Sequence, residues 1–378
     1  MPMSHFDLAA VRQEFPIVDQ CVYLNHAAVS PISRRVHAAM VEQATLHLNQ
    51  GDGAGGIDEP RYRRGRELAA RLVNGAPERI AYIMNTSHGL SQVANGLTWR
   101  AGDNVVLSEM EFPSNYLIWS HLEAQGVELR RVPVPDGRLT ADKLRPLVDS
   151  RTRVVAVSQV QYYNGFRVDL AAFGQLCREV DALLVVDGTQ SIGALRADLD
   201  GMGIDALVVS SHKWMLGPLG VGFMAFSERG FARIQPTIMG WLSVNEPFAF
   251  RRELDFLPDG GRFEPGTENA AGRFGLVARL EQIHETGADV IEARVLGLTD
   301  LLCEQLAANG FQVTSHRGEA EKSAIVTFIH PRIASETLYE RLAAANIKAS
   351  LRSGAIRISP HYYNSENEIT LAVTAAGG

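Results

Sequence analysis

The middle of the chain alternates between short apolar runs and amphipathic stretches. Amphipathic segments at residues 115–125 and 170–181 separate some of these runs. The apolar runs lie at residues 104–108, 153–158, 183–187, 206–210 and 221–226. Because the runs are apolar on both faces and helices lie between them, they predict an α/β fold with a mainly parallel sheet covered on both sides.

Beyond residue 272 the pattern changes. A helical stretch at 274–286 precedes a smaller unit, in which apolar runs at 324–329 and 355–359 flank another helical stretch. Apolar runs with one helix between them predict a second, smaller α/β unit. Upstream of the sheet, helical patterns at residues 31–49 and 61–74 follow a short amphipathic helix near the N-terminus.

These patterns divide the chain into three parts. We expect a large domain over residues 21–272, a small C-terminal α/β domain over residues 273–378, and an N-terminal segment, residues 1–20, that packs with the small domain. A chain of 378 residues is long enough for this division.

Composition narrows the classes of function. The net charge of −7 argues against a nucleic-acid partner, which would select a basic face. No apolar run approaches the length of a membrane span, and the first residues lack the features of a signal peptide. The three cysteines, Cys21, Cys177 and Cys303, form no metal-binding spacing, so no metal is expected. We expect reduced thiols in a cytoplasmic protein.

Polar side chains stand where the apolar runs end. Asp187 ends one run, and Ser210 ends the next, followed closely by His212 and Lys213. In open α/β sheets, ligands bind at the carboxyl ends of the strands. Taken alone, Lys213 could be a solvated lysine after a strand, and Asp187 could cap a helix.

Together these residue types suit pyridoxal 5′-phosphate (PLP). Lysine is the side chain that holds an aldehyde as a Schiff base, so Lys213 would hold the cofactor. A carboxylate facing the pyridine nitrogen keeps it protonated, and Asp187 supplies one. The phosphate needs hydrogen-bond donors, which Ser210 and His212 provide beside Lys213.

The sequence resembles the class V aminotransferase family of fold-type I PLP enzymes, which includes cysteine desulfurases, selenocysteine lyases, isopenicillin N epimerase-like proteins and kynureninase. Two motifs carry the resemblance, Asp-Gly-Thr-Gln at 187–190 and Ser-Ser-His-Lys at 210–213. Weaker likeness extends from residue 23 to residue 364. It implies a seven-stranded, mainly parallel sheet between helices, and a homodimer with shared active sites.

The resemblance also implies further cofactor contacts. Thr86 and Ser87 match donors to the phosphate, although they could form a plain helix N-cap. Phe112 matches the aromatic ring that stacks on PLP, where desulfurases use histidine; it could instead be a core residue. Gln190 matches a donor to the phenolic oxygen. Thr267 matches a residue that reaches the phosphate of the neighbouring subunit, or belongs to an ordinary Pro-Gly turn.

An arginine in the small domain matches the substrate clamp. Arg357 suits the α-carboxylate of an amino acid, since a guanidinium binds a carboxylate with two hydrogen bonds. The alternative is an arginine at the edge of a strand. Asn25 and His26 are expected to line the same pocket. His361 is either a polar contact nearby or an exposed residue.

In the expected reaction, Lys213 holds PLP, gives way to the substrate amine and then removes the Cα proton. Transamination or loss of a β-substituent, as in a C–S lyase, could follow; epimerisation is the alternative. A persulfide-forming desulfurase needs a cysteine on the loop before Arg357, and residues 348–354 contain none.

Two readings outside catalysis remain. The first is a PLP-binding sensor or scaffold without turnover, for which no segment gives positive support. The second is a nucleotide-binding loop at residues 51–56, which formally match GxGxxG. A dinucleotide loop should follow a strand, but this stretch follows a helical segment, so a mobile loop is expected instead.

Overall fold

A computed structural model describes residues 6–51 and 60–377. The glycine-rich stretch at 51–56 therefore lies, except for Gly51, outside the described residues. The helices are α1 (Leu8–Gln13), α2 (Arg34–Gln50), α3 (Pro60–Leu72), α4 (Thr86–Asn95), α5 (Leu117–Ser120), α6 (Ala141–Leu144), α7 (Leu170–Glu179), α8 (Glu228–Arg233), α9 (Ala270–Thr286), α10 (Ala288–Ala308), α11 (Ser335–Ala344) and α12 (Glu366–Gly377).

The strands of the large sheet are β2 (Ile80–Ile83), β3 (Asn104–Ser108), β4 (Glu128–Val132), β5 (Thr152–Ser158), β6 (Leu183–Asp187), β7 (Ala206–Ser210) and β8 (Gly222–Phe226). Their order is β2-β8-β7-β6-β5-β3-β4. Only β8 runs against its two neighbours, while the pairs from β7 to β4 are parallel. The predicted α/β fold with a seven-stranded, mainly parallel sheet is confirmed.

The smaller sheet lies near the C-terminus. It contains β9 (Gln312–Val313), β10 (Val326–Ile329), β12 (Ser350–Arg352) and β13 (Ala355–Ile358), in the order β12-β13-β10-β9, and all its pairs are antiparallel. Strand β1 (Val22–Tyr23) pairs separately with β11 (Ile347–Lys348), which ties the start of the predicted large domain to this part of the chain. A turn of only two residues, Ser353 and Gly354, joins β12 to β13. Both have positive φ angles, 47° and 75°, as a tight hairpin turn requires.

Two apolar cores fill the two faces of the large sheet, and a third fills the smaller unit. Helix α9 packs against α2 and α3 and joins a core of the large sheet through Leu276 and Leu280. The third core includes Leu298, at the middle of α10, and Leu24, which directly follows β1. The boundary at residue 272 stays a prediction.

Strand β4 has no counterpart among the apolar runs of the sequence. Two of its five residues are buried, two are exposed and one is half-buried, and it lies at the edge of the sheet. Charged side chains on an edge strand discourage pairing with other chains, so this strand carries no continuous apolar signal. Among the residues that the structure describes, no helix combines the length and apolar character that crossing a bilayer requires.

Candidate active site

A cavity of about 420 Å³ opens where the predicted residues converge. It lies at the carboxyl ends of β6 and β7 and at the N-terminus of α4, as ligand sites in open α/β sheets do. Hairpin β12–β13 contributes from the smaller unit. The lining residues are Ala27, Ala28, Val29, Asn85, Thr86, Ser87, Phe112, Ser114, Tyr162, Asp187, Thr189, Gln190, Ser210, His212, Lys213, Arg352 and Arg357.

Hydroxyl groups cluster at the N-terminus of α4. The Thr86 Oγ1 lies 2.6 Å from the Thr189 hydroxyl and 2.7 Å from the Ser210 hydroxyl. Ser210 Oγ also accepts the Thr86 N–H at 2.8 Å, and the Ser87 hydroxyl donates to Ser114 at 2.8 Å. Hydroxyls and N–H groups at a helix N-terminus form an anion site, so this end of the cavity fits a phosphate.

Asp187 and Lys213 face the cavity with altered pKa values. Burial raises the pKa of Asp187, although hydrogen bonds from Thr189 and the charge of Lys213 oppose that change. The Thr189 N–H donates to Asp187 Oδ1 at 2.8 Å. Burial lowers the pKa of Lys213, and Arg357 lowers it further while Asp187 opposes. A lowered pKa leaves more of the lysine as a neutral amine, the form that attacks a carbonyl group.

His212 is neutral at ordinary pH. Burial, followed by the charge of Lys213, lowers the pKa of the imidazole to about 4. A neutral imidazole carries one N–H, so His212 can still donate a single hydrogen bond to a phosphate.

Phe112 and Tyr162 form an aromatic wall. Their rings meet edge to face, with centroids 5.2 Å apart. The Lys213 Nζ lies 5.1 Å from the centre of the Phe112 ring. Phe112 is therefore not a core residue: its side chain is 37% exposed and stands beside the amine. A ring in this place can stack on a flat cofactor but cannot transfer a proton.

Two arginines line the cavity from hairpin β12–β13. Arg357 is buried, and its Nη1 donates to the backbone carbonyl of Tyr162 at 2.7 Å. Burial, with a further contribution from Arg352, lowers the pKa of Arg357 to about 10. The Arg357 Nε has no hydrogen-bond partner among the described residues. A buried cation with a vacant donor, facing a cavity, suits a carboxylate ligand.

Gln190 lines the cavity but its amide group already makes two contacts. Its Nε2 donates to the Ala27 carbonyl at 3.0 Å, and its Oε1 accepts from the indole N–H of Trp214 at 2.8 Å. An amide nitrogen carries two hydrogens, so one remains for a phenolic oxygen.

The structure does not bring three predicted residues into this cavity. His26 is fully buried: its Nδ1 contacts the Ser359 carbonyl, and its Nε2 contacts the Tyr363 hydroxyl. Both ring nitrogens are therefore occupied, and the expectation that His26 lines the pocket needs correction. Asn25 accepts a hydrogen bond from Ser350 and does not line the cavity either.

Thr267 is exposed and lies outside the cavity of its own chain. Its predicted contact is with the neighbouring subunit, so this prediction stays open.

Three further lining residues, Thr189, Tyr162 and Arg352, were not predicted from the sequence. Thr189 lies inside the Asp-Gly-Thr-Gln motif at 187–190, so that motif could have identified it. Tyr162, rather than the neighbouring Gln161, faces the cavity, because Gln161 Nε2 donates to the buried Glu111. Arg352 carried no signal in the sequence, since its approach depends on the tight turn of the hairpin.

Comparisons with known proteins agree with this geometry. The sequence profile described as aminotransferase class-V matches residues 22–371. A probable cysteine desulfurase of Methanothermobacter thermautotrophicus is 29% identical over 385 residues, which cover 96% of this chain and 95% of the relative.

Two solved structures share the fold. The cysteine desulfurase CsdA of Escherichia coli has a TM-score of 0.87 and 25% identity, and the alignment covers 98% of both chains. The cystine C–S lyase C-DES, in complex with its product cysteine persulfide, also has a TM-score of 0.87. At 24% identity, over 96% of this chain and 99% of that chain, this second likeness shows the fold alone.

The cavity offers what PLP requires: hydroxyls and a helix N-terminus for the phosphate, a buried carboxylate, and an amine beside an aromatic ring. This fit agrees with the family match, which spans nearly the whole chain. The chain belongs to the class V aminotransferase family and is a PLP-dependent enzyme.

Proposed function

We propose that this enzyme is a C–S lyase that acts on an α-amino acid and releases the sulfur product directly. The observation that carries the proposal is the pair formed by Arg357 and Lys213 in one cavity, without a cysteine among its lining residues. A buried guanidinium selects a carboxylate, and a lysine with a lowered pKa can act as a base.

Each residue of the site has a part in this reaction. Thr86, Ser210 and His212 would bind the phosphate, and Asp187 would keep the pyridine nitrogen protonated. When bound, PLP supplies an electron sink for the negative charge that develops at Cα. Lys213 removes the Cα proton from a substrate whose carboxylate Arg357 holds.

The Cβ–S bond then breaks, and the sulfur leaves with the electron pair of that bond. The remaining three-carbon product takes up water and gives pyruvate and ammonia. No protein sulfur takes part in these steps.

The short hairpin turn supports direct release. A persulfide-forming enzyme needs a cysteine on a loop that reaches the substrate, and Ser353 and Gly354 alone link β12 to β13 at this place. The free cysteines of the described residues are Cys21, Cys177 and Cys303, and none lines the cavity. Unpaired thiols also suit the reducing cytoplasm, where we place the enzyme.

Arg352 supports a substrate with a second negative charge. It lines the cavity beside Arg357, its side chain is largely exposed, and no ion pair to it exists among the described residues. Sulfur amino acids with a second anionic group, such as the distal carboxylate of cystine or the sulfonate of S-sulfocysteine, would place one anionic group at each arginine.

We also propose that the active enzyme is a homodimer in which Thr267 of each subunit serves the site of the other. Thr267 is exposed and does not line the cavity of its own chain, which supports this arrangement.

Incubation of PLP-loaded protein with a panel of amino acids in deuterated water tests the reaction type. A C–S lyase forms pyruvate together with a thiol or persulfide, and Lys213→Ala abolishes both. An oxo acid without sulfur release would indicate transamination. Loss of the chirality of Cα with deuterium uptake would indicate epimerisation, and no change with any amino acid would favour a scaffold.

The side-chain preference needs a second comparison. We expect Arg352→Ala to lower kcat/KM for cystine by about tenfold, the value of one hydrogen-bonded charge, and to leave kcat/KM for S-methylcysteine within about twofold. Equal losses on both substrates would contradict the proposed role of Arg352.

A further inference from the structure

The backbone that follows Lys213 is held by side chains from two other elements. The Trp214 carbonyl lies 2.8 Å from His361 Nε2, and the Met215 carbonyl accepts from Arg279 Nε at 2.6 Å. The chain turns back at Leu216, whose N–H donates to the Lys213 carbonyl at 2.9 Å. We call residues 213–216 the lysine turn.

The lysine turn has little freedom. Leu216 has a φ angle of 51°, which costs free energy in a residue with a branched side chain. On the other side, a Cβ atom added at Gly193 would lie 2.3 Å from the Trp214 carbonyl oxygen. The contacts from His361 and Arg279 therefore hold a turn that its own backbone does not favour.

The hydrogen bonds of His361 fix its tautomer. Its Nδ1 accepts the backbone N–H of Tyr362 at 2.8 Å. Since a carbonyl oxygen can only accept, Nε2 must carry the hydrogen that points to Trp214. Burial, with smaller contributions from His26 and Arg279, keeps the pKa of His361 well below its ordinary value. The ring is therefore a neutral, single donor.

Neighbouring rings keep this imidazole in place. The ring of His26 lies 5.3 Å from that of His361, and the Trp214 ring lies 5.6 Å away. His26 is itself neutral, because burial lowers its pKa to about 3. The Ser359 backbone N–H, two residues before His361, donates to the Leu24 carbonyl at 2.8 Å.

His361 and Arg357 lie on one short stretch of chain. Arg357 is part of β13, and His361 follows the end of that strand. The side chain proposed to hold the substrate carboxylate and the side chain that contacts the lysine turn therefore belong to the same short segment of the smaller unit.

We propose that His361 is a positioning residue for Lys213. Its hydrogen bond to the Trp214 carbonyl fixes the position of the lysine turn relative to Arg357. The inference rests on the proposed function only for the role of Arg357 in binding the substrate carboxylate. The contact between His361 and the lysine turn does not depend on that role. A histidine that only filled the core would need the shape of its ring and not the hydrogen on Nε2.

Two substitutions separate these roles. His361→Gln keeps an N–H that can reach the Trp214 carbonyl, and His361→Phe keeps a ring of similar shape without a donor. His121→Phe, at an exposed position, is the control. In cofactor-free protein we expect His361→Phe to speed amide exchange in residues 213–217 by about tenfold, as the loss of one hydrogen bond predicts.

The PLP-loaded protein gives a second readout. We expect His361→Phe to shift the pH midpoint of the visible absorption and to lower kcat by about tenfold, with KM within about twofold. His361→Gln should stay close to the unaltered protein in each measurement. Should His361→Phe not fold, His361→Asn, whose amide is too short to reach the carbonyl, gives the same contrast.

Unchanged exchange and an unchanged pH midpoint in a folded variant without the donor would overturn the inference. Equal effects of Gln and Phe would overturn it as well, because the donor would then be irrelevant. Amide exchange needs neither cofactor nor turnover. If no amino acid reacts, the proposed function fails, while the exchange result still decides the role of His361.

Discussion

Arg357 is a buried cation that faces a cavity instead of a carboxylate. Among the described residues, its guanidinium donates one hydrogen bond, to the Tyr162 carbonyl, and no acidic side chain pairs with it. Leaving a buried charge without an opposite charge costs several kcal/mol. A bound carboxylate would offset this cost, so the position of Arg357 favours a ligand of that charge.

Removal of this cation should weaken the reaction strongly. We expect Arg357→Ala to lower kcat/KM by about 100-fold, because hydrogen bonds to a charged group each contribute about 1.5–3 kcal/mol. Steady-state kinetics with the best substrate of the panel measures the loss. Arg332→Ala, at an exposed arginine outside the cavity, is the control, and a similar loss there would contradict the assignment.

The charges of Arg352 and Asp187 should shift the pKa of Lys213 in opposite directions. Arg352 lowers this pKa and Asp187 raises it. Arg352→Ala should therefore raise the pKa, so that acetylation of the cofactor-free lysine begins at higher pH. Asp187→Asn should lower the pKa and move the onset to lower pH. Peptide mass spectrometry of samples acetylated across a pH series measures both shifts, and shifts of the same sign would refute this account.

At the scale of single residues, the sequence identified the groups that lie near strand ends. Lys213, Asp187 and Ser210 all line the cavity as expected, because strand-end positions follow from the apolar pattern. His26 does not line it, because its orientation depends on Ser359 and Tyr363, which lie far away in the sequence. No local pattern contains such a long-range hydrogen bond.

At the scale of elements, a buried ion cluster joins α3, β2 and α9. Glu264 pairs with Arg66 at 2.7 Å and with Arg273 at 2.9 Å, and it accepts the Tyr82 N–H at 2.9 Å. Burial alone would raise the pKa of Glu264, but the two arginines hold it below its ordinary value. The cluster anchors the segment that leads to Thr267.

Loss of Glu264 should destabilise the fold. We expect Glu264→Ala to lower the free energy of unfolding by about 3 kcal/mol, because Arg66 and Arg273 lose a buried partner. Urea titration measures this change at neutral pH. The stabilisation from the lowered pKa is present above the unfolded pKa and disappears as the pH falls through the folded pKa.

An exposed pair provides the comparison. Glu67→Ala removes the partner of Arg64, in an ion pair at the surface of α3, and should cost less than about 1 kcal/mol. A loss from Glu67→Ala as large as that from Glu264→Ala would show that burial does not decide the effect.

The apolar pattern predicted the bounds of buried elements more accurately than those of exposed ones. Strands β3, β6 and β7 begin and end at the predicted residues, since each is apolar on both faces. Predicted helices differ by a few residues at their ends, where the backbone geometry and not the apolar pattern decides. Edge strand β4 and short strand β12 were not predicted, because a half-exposed strand resembles a loop in its composition.

At the scale of the whole molecule, one surface carries exposed apolar side chains and the segment that bears Thr267. Trp241 is 43% exposed and Phe248 is 63% exposed, and their rings meet at 5.7 Å. Gly240, beside Trp241, lies against the backbone of Pro265. A contiguous patch of exposed apolar side chains can mark a protein–protein interface, which supports the proposed second subunit.

Mixed dimers can test shared sites. We expect Lys213→Ala and Thr267→Asp proteins each to have little activity, since one lacks the base and the other repels the phosphate of its partner. Mixing after mild denaturation should restore activity, because one site of a mixed dimer combines an unaltered Lys213 with an unaltered Thr267. No recovery, in a mixture that demonstrably exchanges subunits, would show that Thr267 serves its own chain or none.

The two-residue link between β12 and β13 prevents a residue on this turn from carrying sulfur to another protein. A stretch of two residues spans about 7 Å at most, so a cysteine substituted at Ser353 would stay beside Arg352 and could not travel to an acceptor protein. Under the proposed function, sulfur leaves as a small diffusible molecule, and its next user must capture it from solution. Transfer of sulfur directly to an acceptor protein would require a longer turn that carries a cysteine, and not a different cavity.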